Sequence, residues 1–485
     1  MIAVQRMREW TARHPEADLW LRAMAIFALV RLWYRAQGVA FWYDSIFYFF
    51  QLLDPMLLRD RLAESLWHLH AQPPLWNLLT GLVLKAAPGS FPEVLEGLFL
   101  ATGFATMMAV CASLRRMGLS RNLALGIAAA FASSPQFLTF ENYFMYPHLV
   151  GVLLAVSACA FLRSEGRPGP WMAGGFAGLA ALSMTRSVYH PAWLLGIAAI
   201  ASGLAPRGTR LRALGWAAVP AAIVLLWCAK NAAMFGFFGL SSWGAFSLHR
   251  VAQEGVPEAE VQDLVRQGTL SSASGVYEFS APEVFVQRLG LPDRETGVPA
   301  LDRLRKETLT SATLRNPGNR NHWSYLEVAP LMARDAWTLI RLHPEAYART
   351  VAANLETFLR PVADSQWAAG NRNKVYMVAM KAEALECHPV TWAILAAVFA
   401  FATFGLLSGR APPRERLFLG AMLATVAWAT ALALLAETGE NNRFRYETFV
   451  PMLLLSCWTG REAIGWARRV RDRHGKPRDG RATAP

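Results

Sequence analysis

The sequence predicts an all-α polytopic membrane protein of about ten transmembrane helices with further helices at the outer membrane surface, and three observations predict it. Of 485 residues, 54% are hydrophobic and only 17% charged, with 18 Trp and 27 Phe, where soluble domains carry about 25% charge. Apolar runs close to the roughly 20 residues that cross a bilayer recur along the chain. The net charge of +13 gathers in short segments between those runs. That is the pattern of positive-inside loops rather than of a nucleic-acid-binding face.

Taken in order, the N-terminal stretch MIAVQRMREWTARHPEAD is basic but lacks a short apolar core ending at a small-residue cleavage site. The first apolar run therefore reads as a retained helix. Spans are expected near 18–37, 92–114, 121–140, 147–163, 170–186, 190–205, 211–231, 388–408, 415–437 and 446–462. The basic segments 115-RRMGLSR-121, 163-RSEGRPG-169, 206-PRGTR-210 and 410-RAPPRER-416 then all fall on one side. The tail 461–481 joins them, with eight Lys/Arg against three acids. The positive-inside rule makes that side cytoplasmic and puts both termini there. The expected location is a bacterial inner (cytoplasmic) membrane. Cys111, Cys159, Cys228, Cys387 and Cys457 are scattered, mostly within apolar runs, and show neither C-x-x-C spacing nor a disulfide pattern. They read as small core hydrophobes.

The segment 73-PPLWNLLTGLVLKAA-87 is apolar but too short for a full crossing. Counting it as a span would invert every later loop, so it reads as an interfacial or partly inserted helix, with Pro73 and Pro74 in its first turn. The domain plan follows. Residues 1–231 form a membrane module with a first outer loop at 38–91, and 232–387 a long outer segment. Residues 388–462 form the last spans and 463–485 a basic inner tail. In the long segment, Leu331, Trp337, Leu342, Tyr347, Val351, Leu355 and Leu359 recur at helical spacing, interrupted at His343-Pro344. That predicts a pair of amphipathic helices capping the membrane domain.

Nearly every acid, His and Asn embedded in apolar sequence falls on the outer side, in 38–91, 141-ENYFMYPH-148, 185-TRSVYHP-191 and 437-ETGENNRFRYE-447. Tyr43, Tyr48 and Tyr143 read as ordinary interface residues. Charges are not, because charge near hydrocarbon costs several kcal/mol unless paired or facing a cavity. Asp44, Glu141, Arg186, Lys230, Arg443 and Arg445 are accordingly expected to line one shared cavity. A phosphate carried on a long isoprenoid suits it: the tail lies between helices while Arg and Lys take the phosphate by charge-assisted hydrogen bonds. A carboxylate beside that phosphate serves as base for an incoming hydroxyl. A proton-coupled transporter uses similar residues.

The early Asp44, followed by 70-HAQPPLW-76, resembles the GT-C glycosyltransferases, most of all the branch of protein O-mannosyltransferases and lipid A aminoarabinose transferases. The third-span region 115–138 and the late 441-NNRFRYETFVPMLLL-455 are similar to that branch as well. The likeness covers about the first 200 residues and the last 50, leaving the long segment unmatched. The resemblance implies a GT-C-like fold. It also implies an inverting transfer of one sugar from a polyprenyl-phosphate donor to a lipid, glycan or protein acceptor at the periplasmic face. Asp44 matches the family's loop-one catalytic acid, and His70, Pro73 and Pro74 the motif that shapes the site. Glu141, Tyr146 and His148 are expected beside them, and Arg443, Arg445, Arg186 and Lys230 at the donor phosphate. The sequence departs at Ser45, where many relatives place a second acid, so a divalent-metal cofactor cannot be inferred. His68 and His70, two residues apart, do not share a helical face and make a poor zinc pair. The rival readings are an O-antigen ligase or polymerase and a lipid-linked-sugar transporter. The expected partners are the donor, the acceptor and membrane lipids, with no nucleic acid.

Overall fold

In the computed structural model, which describes residues 13–292, 294–307, 318–360 and 388–474, the chain is built from helices. Among the described residues the extended pairing consists of two isolated bridges, Trp42 with Tyr143 and Arg305 with Gly318. Helix α1 (Pro15–Ala36) leads into the first outer loop, which carries α2 (Ser45–Tyr48), α3 (Pro55–Asp60), α4 (Leu62–Trp67) and α5 (Pro74–Ala86). Then come α6 (Phe91–Arg116), α7 (Arg121–Ala132), α8 (Pro135–Glu141), α9 (Pro147–Ser164), α10 (Pro170–Thr185), α11 (Pro191–Leu204) and α12 (Arg210–Phe235). The long segment holds α13 (Gly244–Gln253), α14 (Glu258–Arg266), α15 (Pro282–Leu289), α16 (Pro299–Asp302), α17 (Ser324–Leu342) and α18 (Pro344–Leu359). Last are α19 (Pro389–Leu407), α20 (Pro413–Leu435), α21 (Asn441–Glu447) and α22 (Phe449–His474). Proline opens α5, α9, α10, α11, α19 and α20, where its missing N–H removes no intrahelical bond.

The protein is an all-α polytopic membrane protein. Among the described residues five helices, α6, α9, α12, α19 and α20, are long and apolar enough to cross a membrane, and six if α7 and α8 count as one broken span. The expected ten are helices at the expected places, but four fall outside that test. α10 and α11 have 16 and 14 residues, α1 carries Asp18, Arg22, Arg31 and Arg35, and α22 becomes charged from Arg461 onward. The span expected as continuous over 121–140 is bent by 60° between α7 and α8. Ser134 is extended there and Pro135 cannot continue the preceding helix.

The basic loops do share one end. Arg115 donates twice to Glu16 at the start of α1, at 2.6 and 2.7 Å, and Arg121 donates to the Pro15 carbonyl at 2.5 Å. Arg461 donates to the Met117 carbonyl and, at 2.9 Å, to the buried Glu415. Gly166, at φ +73°, passes against the Pro413 carbonyl. The loops carrying Asp44, Tyr146, Arg186 and Arg443 lie at the opposite ends of these helices.

The helix pair expected in 328–361 forms, with its break at His343. The buried stripe is not the expected one. Val328, Met332, Ala336 and Leu339 face inward, whereas Trp337, Leu342 and Leu355 stand 54, 49 and 45% exposed. The sequence holds two apolar stripes, and the one with the smaller residues packs closely on α13 and its neighbours. α18 seats on the end of α20 through Tyr347 to the Leu435 carbonyl at 2.8 Å and Asn354 to the Leu434 carbonyl at 3.0 Å.

Candidate functional site

The short helix α21 sits where the chain turns between α20 and α22, with all of its residues buried. Arg443 Nη1 lies 2.8 Å from Glu440 Oε2 and 3.9 Å from the Met145 sulfur, with its guanidinium 5.7 Å from the Tyr146 ring centre. α10 stops at Thr185, and Arg186, in extended backbone, swings into the same space. Its Nη1 donates to the Tyr146 hydroxyl, and its guanidinium lies 4.6 Å from the Tyr146 ring and 4.3 Å from Phe444. Its Nε is 2.7 Å from Glu447 Oε2, yet the angle admits no hydrogen bond. Arg186 Nε and Nη2, both Glu447 carboxylate oxygens and the Tyr189 hydroxyl are buried without a hydrogen-bond partner. This ion pair therefore keeps unmet hydrogen-bonding capacity, and each unmet buried group costs about 1–3 kcal/mol or more.

Asp44 lies on an adjoining loop. It is half-buried at the start of α2, and its Oδ2 accepts from the Trp42 indole at 3.1 Å. Residues 42–45 lace against 142–144: Trp42 N to the Asn142 carbonyl at 2.8 Å, Phe144 N to the Trp42 carbonyl at 2.9 Å, and Ser45 Oγ to the Phe144 carbonyl at 2.6 Å. The strip so pinned continues into Met145 and Tyr146, the surface that Arg186 and Arg443 cover. Ser45 thus spends its hydroxyl on holding the two loops together. The Tyr48 and Tyr143 hydroxyls stand 3.4 Å apart beside Asp44, and burial raises the pKa of both.

The single shared cavity is not what forms. Glu141 ends α8 and is spent on Arg31 of α1, which grips it at 2.8 Å through both Nε and Nη2. Lys230 stands apart, its Nζ donating to the carbonyls of Trp67 and Leu69 at 3.0 and 3.1 Å, over the Trp227 ring. His148 is a core residue whose Nε2 meets the Phe99 carbonyl at 3.0 Å. Pro73 caps α5 and Pro74 opens it. His70 is fully buried between Ser242 Oγ at 2.9 Å and the Asn321 carbonyl at 3.0 Å, and burial pushes its pKa down to about 3. It locks the first loop to the long segment. Of the eleven expected residues, Arg186, Tyr146 and Arg443 converge, Asp44 borders them, and Glu141, Lys230, His148, His70, Pro73 and Pro74 hold structure.

Arg445 points away from Arg443. Its Nη1 donates to the Leu359 carbonyl at 3.1 Å and its guanidinium lies 5.9 Å from the Trp392 ring. There it stands in the wall of an open groove of about 760 Å³. The rest of the groove is mostly apolar, lined by residues such as Leu355, Phe358, Trp392, Phe399, Val426 and Phe449, with Gln136 and a few Thr and Ser among them. One short helix therefore offers a guanidinium to the polar site and another to a hydrocarbon-lined groove.

Sequence reasoning passed over Arg31, Glu447, Tyr189 and Asp54. Arg31 within ALVRLWY was the readable signal, because an arginine there requires a buried partner. Asp54, 3% exposed, takes Arg303 at 3.0 Å and the backbone of Glu307 at 3.0 Å. Among the described residues no group of three or more His, Cys, Asp or Glu is placed to hold a metal ion.

No protein-family model matches the sequence, and no curated protein matches it. A similar solved structure is the oligosaccharyltransferase AglB from Archaeoglobus fulgidus, determined in complex with an inhibitory peptide and a dolichol-phosphate. The TM-score is 0.42 at 14% identity, over 96% of this chain and 53% of that one, so the chain spans about half the length of that protein. A likeness of that size assigns neither substrate nor mechanism.

Proposed function

We propose that this protein is an integral-membrane glycosyltransferase of GT-C type that moves a sugar from a polyprenyl-phosphate donor to an acceptor hydroxyl, with inversion, at the outer face of the membrane. The observation that supports it best is the buried Arg186–Tyr146–Glu447 site with unmet hydrogen-bonding capacity, beside the Asp44 loop and one short helix away from an apolar groove. An isoprenoid tail fits the groove under Arg445. Its phosphate is taken by Arg443 and Arg186 on the side of the polar site and by Arg445 on the side of the groove, and the arginine fork suits phosphate oxygens. Asp44 accepts the acceptor's proton as the new C–O bond forms. The bond from the sugar's anomeric carbon to the phosphate oxygen breaks, and the electron pair leaves on the phosphate, stabilised by cations already in place. Lys230 is withdrawn from the phosphate, since it is bonded to two carbonyls elsewhere.

On this reading 1–231 is the catalytic module, and the long segment 232–387, of which 293, 308–317 and 361–387 lie outside the described residues, covers it from outside. The basic tail 463–485, of which 475–485 lie outside the described residues, and the basic loops face the cytoplasm by the positive-inside rule. The deciding experiment uses purified Asp44→Asn in nanodiscs. It should bind a polyprenyl phosphate as tightly as wild type, by native mass spectrometry, while sugar transfer falls by about 10²- to 10⁴-fold. Transfer at the wild-type rate would remove Asp44 from the chemistry.

A further inference from the structure

Away from the membrane, an open cleft of about 590 Å³ lies between α15, the 294–304 stretch and the turn that starts α17. Its walls carry Glu283, Arg294, Asp302, Arg303, His322 and Trp323. Most of the charges are already engaged. Arg305 Nε donates to Glu283 Oε1 at 2.7 Å, and Asp302 Oδ1 accepts from Thr296 N and Oγ1 at 2.9 and 2.7 Å. Arg303 is bound by Asp54 and Glu307 at 3.0 and 3.1 Å. With Glu295 and the exposed Arg294, which lies 3.6 Å from Glu327, the lining carries three carboxylates and two guanidiniums, a slight acidic excess that offers little to a phosphate.

Besides the exposed polar groups at its rim, it holds two buried groups with capacity to spare, one donor and one acceptor. His322 is only 2% exposed. Its Nδ1 lies 3.2 Å from the Ser324 backbone N–H and 2.9 Å from the Ser324 hydroxyl; with Nδ1 accepting from that N–H, the neutral ring carries its proton on Nε2, for which the described residues show no acceptor. Burial pulls this imidazole's pKa down to about 4, so it is neutral near pH 7. On another wall, Glu283 Oε2 is buried without a hydrogen-bond partner. A neutral donor and a carboxylate acceptor around one cleft match sugar hydroxyls, each of which both donates and accepts.

The cleft is fastened to the loop that carries Asp44. Asn321, the neighbour of His322, accepts from His70 N and Ala71 N at 2.9 and 3.0 Å and donates to the His68 carbonyl at 3.1 Å. Arg303 reaches Asp54, and Lys306 donates to the Phe49 carbonyl at 2.6 Å, just past α2. A molecule in the cleft is thereby held in fixed relation to the first loop.

We infer that this cleft binds uncharged sugar residues, and that it holds the carbohydrate part of the acceptor during transfer. The first half stands alone; the second rests on the proposed glycosyltransferase reading. The test is saturation-transfer NMR and calorimetry on the full chain in nanodiscs, with mannotetraose and an N-acetylglucosamine tetramer as neutral probes and tetragalacturonate as the anionic one. At least one neutral probe should bind. His322→Leu should weaken it by tenfold or more, as should Arg294→Ala at the exposed rim, which removes a wall residue without touching the core. Asp44→Asn should leave binding unchanged. Three results overturn the site: no neutral probe binds, tetragalacturonate binds as tightly, or neither cleft substitution changes affinity. Binding that responds to both substitutions in a protein that transfers no sugar keeps the site and removes its acceptor role.

Discussion

Two buried arginine–glutamate pairs sit near the outer end of the membrane helices, and they are built differently. Arg31 holds Glu141 through two parallel hydrogen bonds at 2.8 Å and spends a third on the Ala132 carbonyl at 2.9 Å. Arg186 meets Glu447 at a single 2.7 Å approach with no aligned hydrogen bond, and leaves two nitrogens and both carboxylate oxygens unmet. The first pair is a closed fork that joins α1 to the bent α7–α8 span, with both carboxylate oxygens taken and one arginine nitrogen, Nη1, left without a partner. The second is an open arrangement with capacity left for something else. Burial and residue type are the same in both. The difference lies in how the hydrogen bonds are used, and that separates a structural ion pair from a binding site.

Breaking the closed pair should cost the fold most. Arg31→Met leaves Glu141 buried without its partner, and removing one member of a buried pair destabilises by about 3–5 kcal/mol. We expect a large loss of folded yield and of thermal midpoint in detergent, with partial recovery in the double variant Arg31→Met/Glu141→Leu, which leaves no orphaned charge. A single variant as stable as wild type would mean that the fork contributes nothing. The open pair should separate stability from binding. Arg186→Ala strands the buried Glu447 and lowers the midpoint too, but in Arg186→Ala/Glu447→Gln, which leaves no orphaned charge, the midpoint should recover while polyprenyl-phosphate affinity stays tenfold or more below wild type. Arg186→Lys should rescue only partly, because it lacks the fork. Unchanged affinity in Arg186→Ala would move the phosphate elsewhere.

Arg445 sharpens the comparison further, since it shares α21 with Arg443 but faces the groove. Arg445→Ala should weaken a long-chain polyprenyl phosphate several-fold and a short-chain analogue by the same factor, because the lost contact is to the head group. Narrowing the groove by Ala396→Phe should weaken only the long-chain lipid. Equal responses of both lipids to Ala396→Phe would show that the groove does not hold the tail.

The sequence was most legible where one force dominates. Apolar run length located the membrane helices, and the basic loops sorted to one end because the positive-inside pattern repeats. His343-Pro344 announced the break between α17 and α18. The candidate site was legible only in part. Arg186 and Arg443 stood out because an arginine beside apolar sequence needs a reason. Glu141 and Lys230 stood out for the same reason, yet each proved to be bonded inside the protein. Which charge pairs with which is decided by contacts between residues about 100 to 300 positions apart, such as Arg31 with Glu141 or Arg443 with Met145, and periodicity carries no information about those. The cleft at His322 was unreadable for a further reason: its donor is free only because Ser324, two residues on, occupies the other nitrogen.

The smallest effect expected is a pH dependence confined to the joint between the first loop and the long segment, where buried histidines hold alongside Lys306 and the Arg303–Asp54 pair. His70 is buried between Ser242 and Asn321 with its pKa pushed down to about 3, and His322 beside it is pulled down to about 4, both by burial. Unfolded histidine titrates near 6.5. Between pH 6.5 and the folded values, the unfolded chain binds protons that the folded joint does not. Stability therefore falls as pH drops through that window and is unaffected by these groups above it. Lys306, lowered by burial to about 7, adds a second window of the same sign. From about 7 up to the usual lysine value near 10.4, the unfolded state holds the extra proton and the joint tightens as pH rises. Hydrogen–deuterium exchange, corrected for intrinsic rate, should show residues 68–72 and 319–325 losing protection from pH 7 to pH 5, while the α9–α10 helices do not change. His70→Gln should flatten that response and leave the Arg31–Glu141 region untouched. Uniform loss of protection along the whole chain would place the acid sensitivity in the membrane pairs instead of the joint.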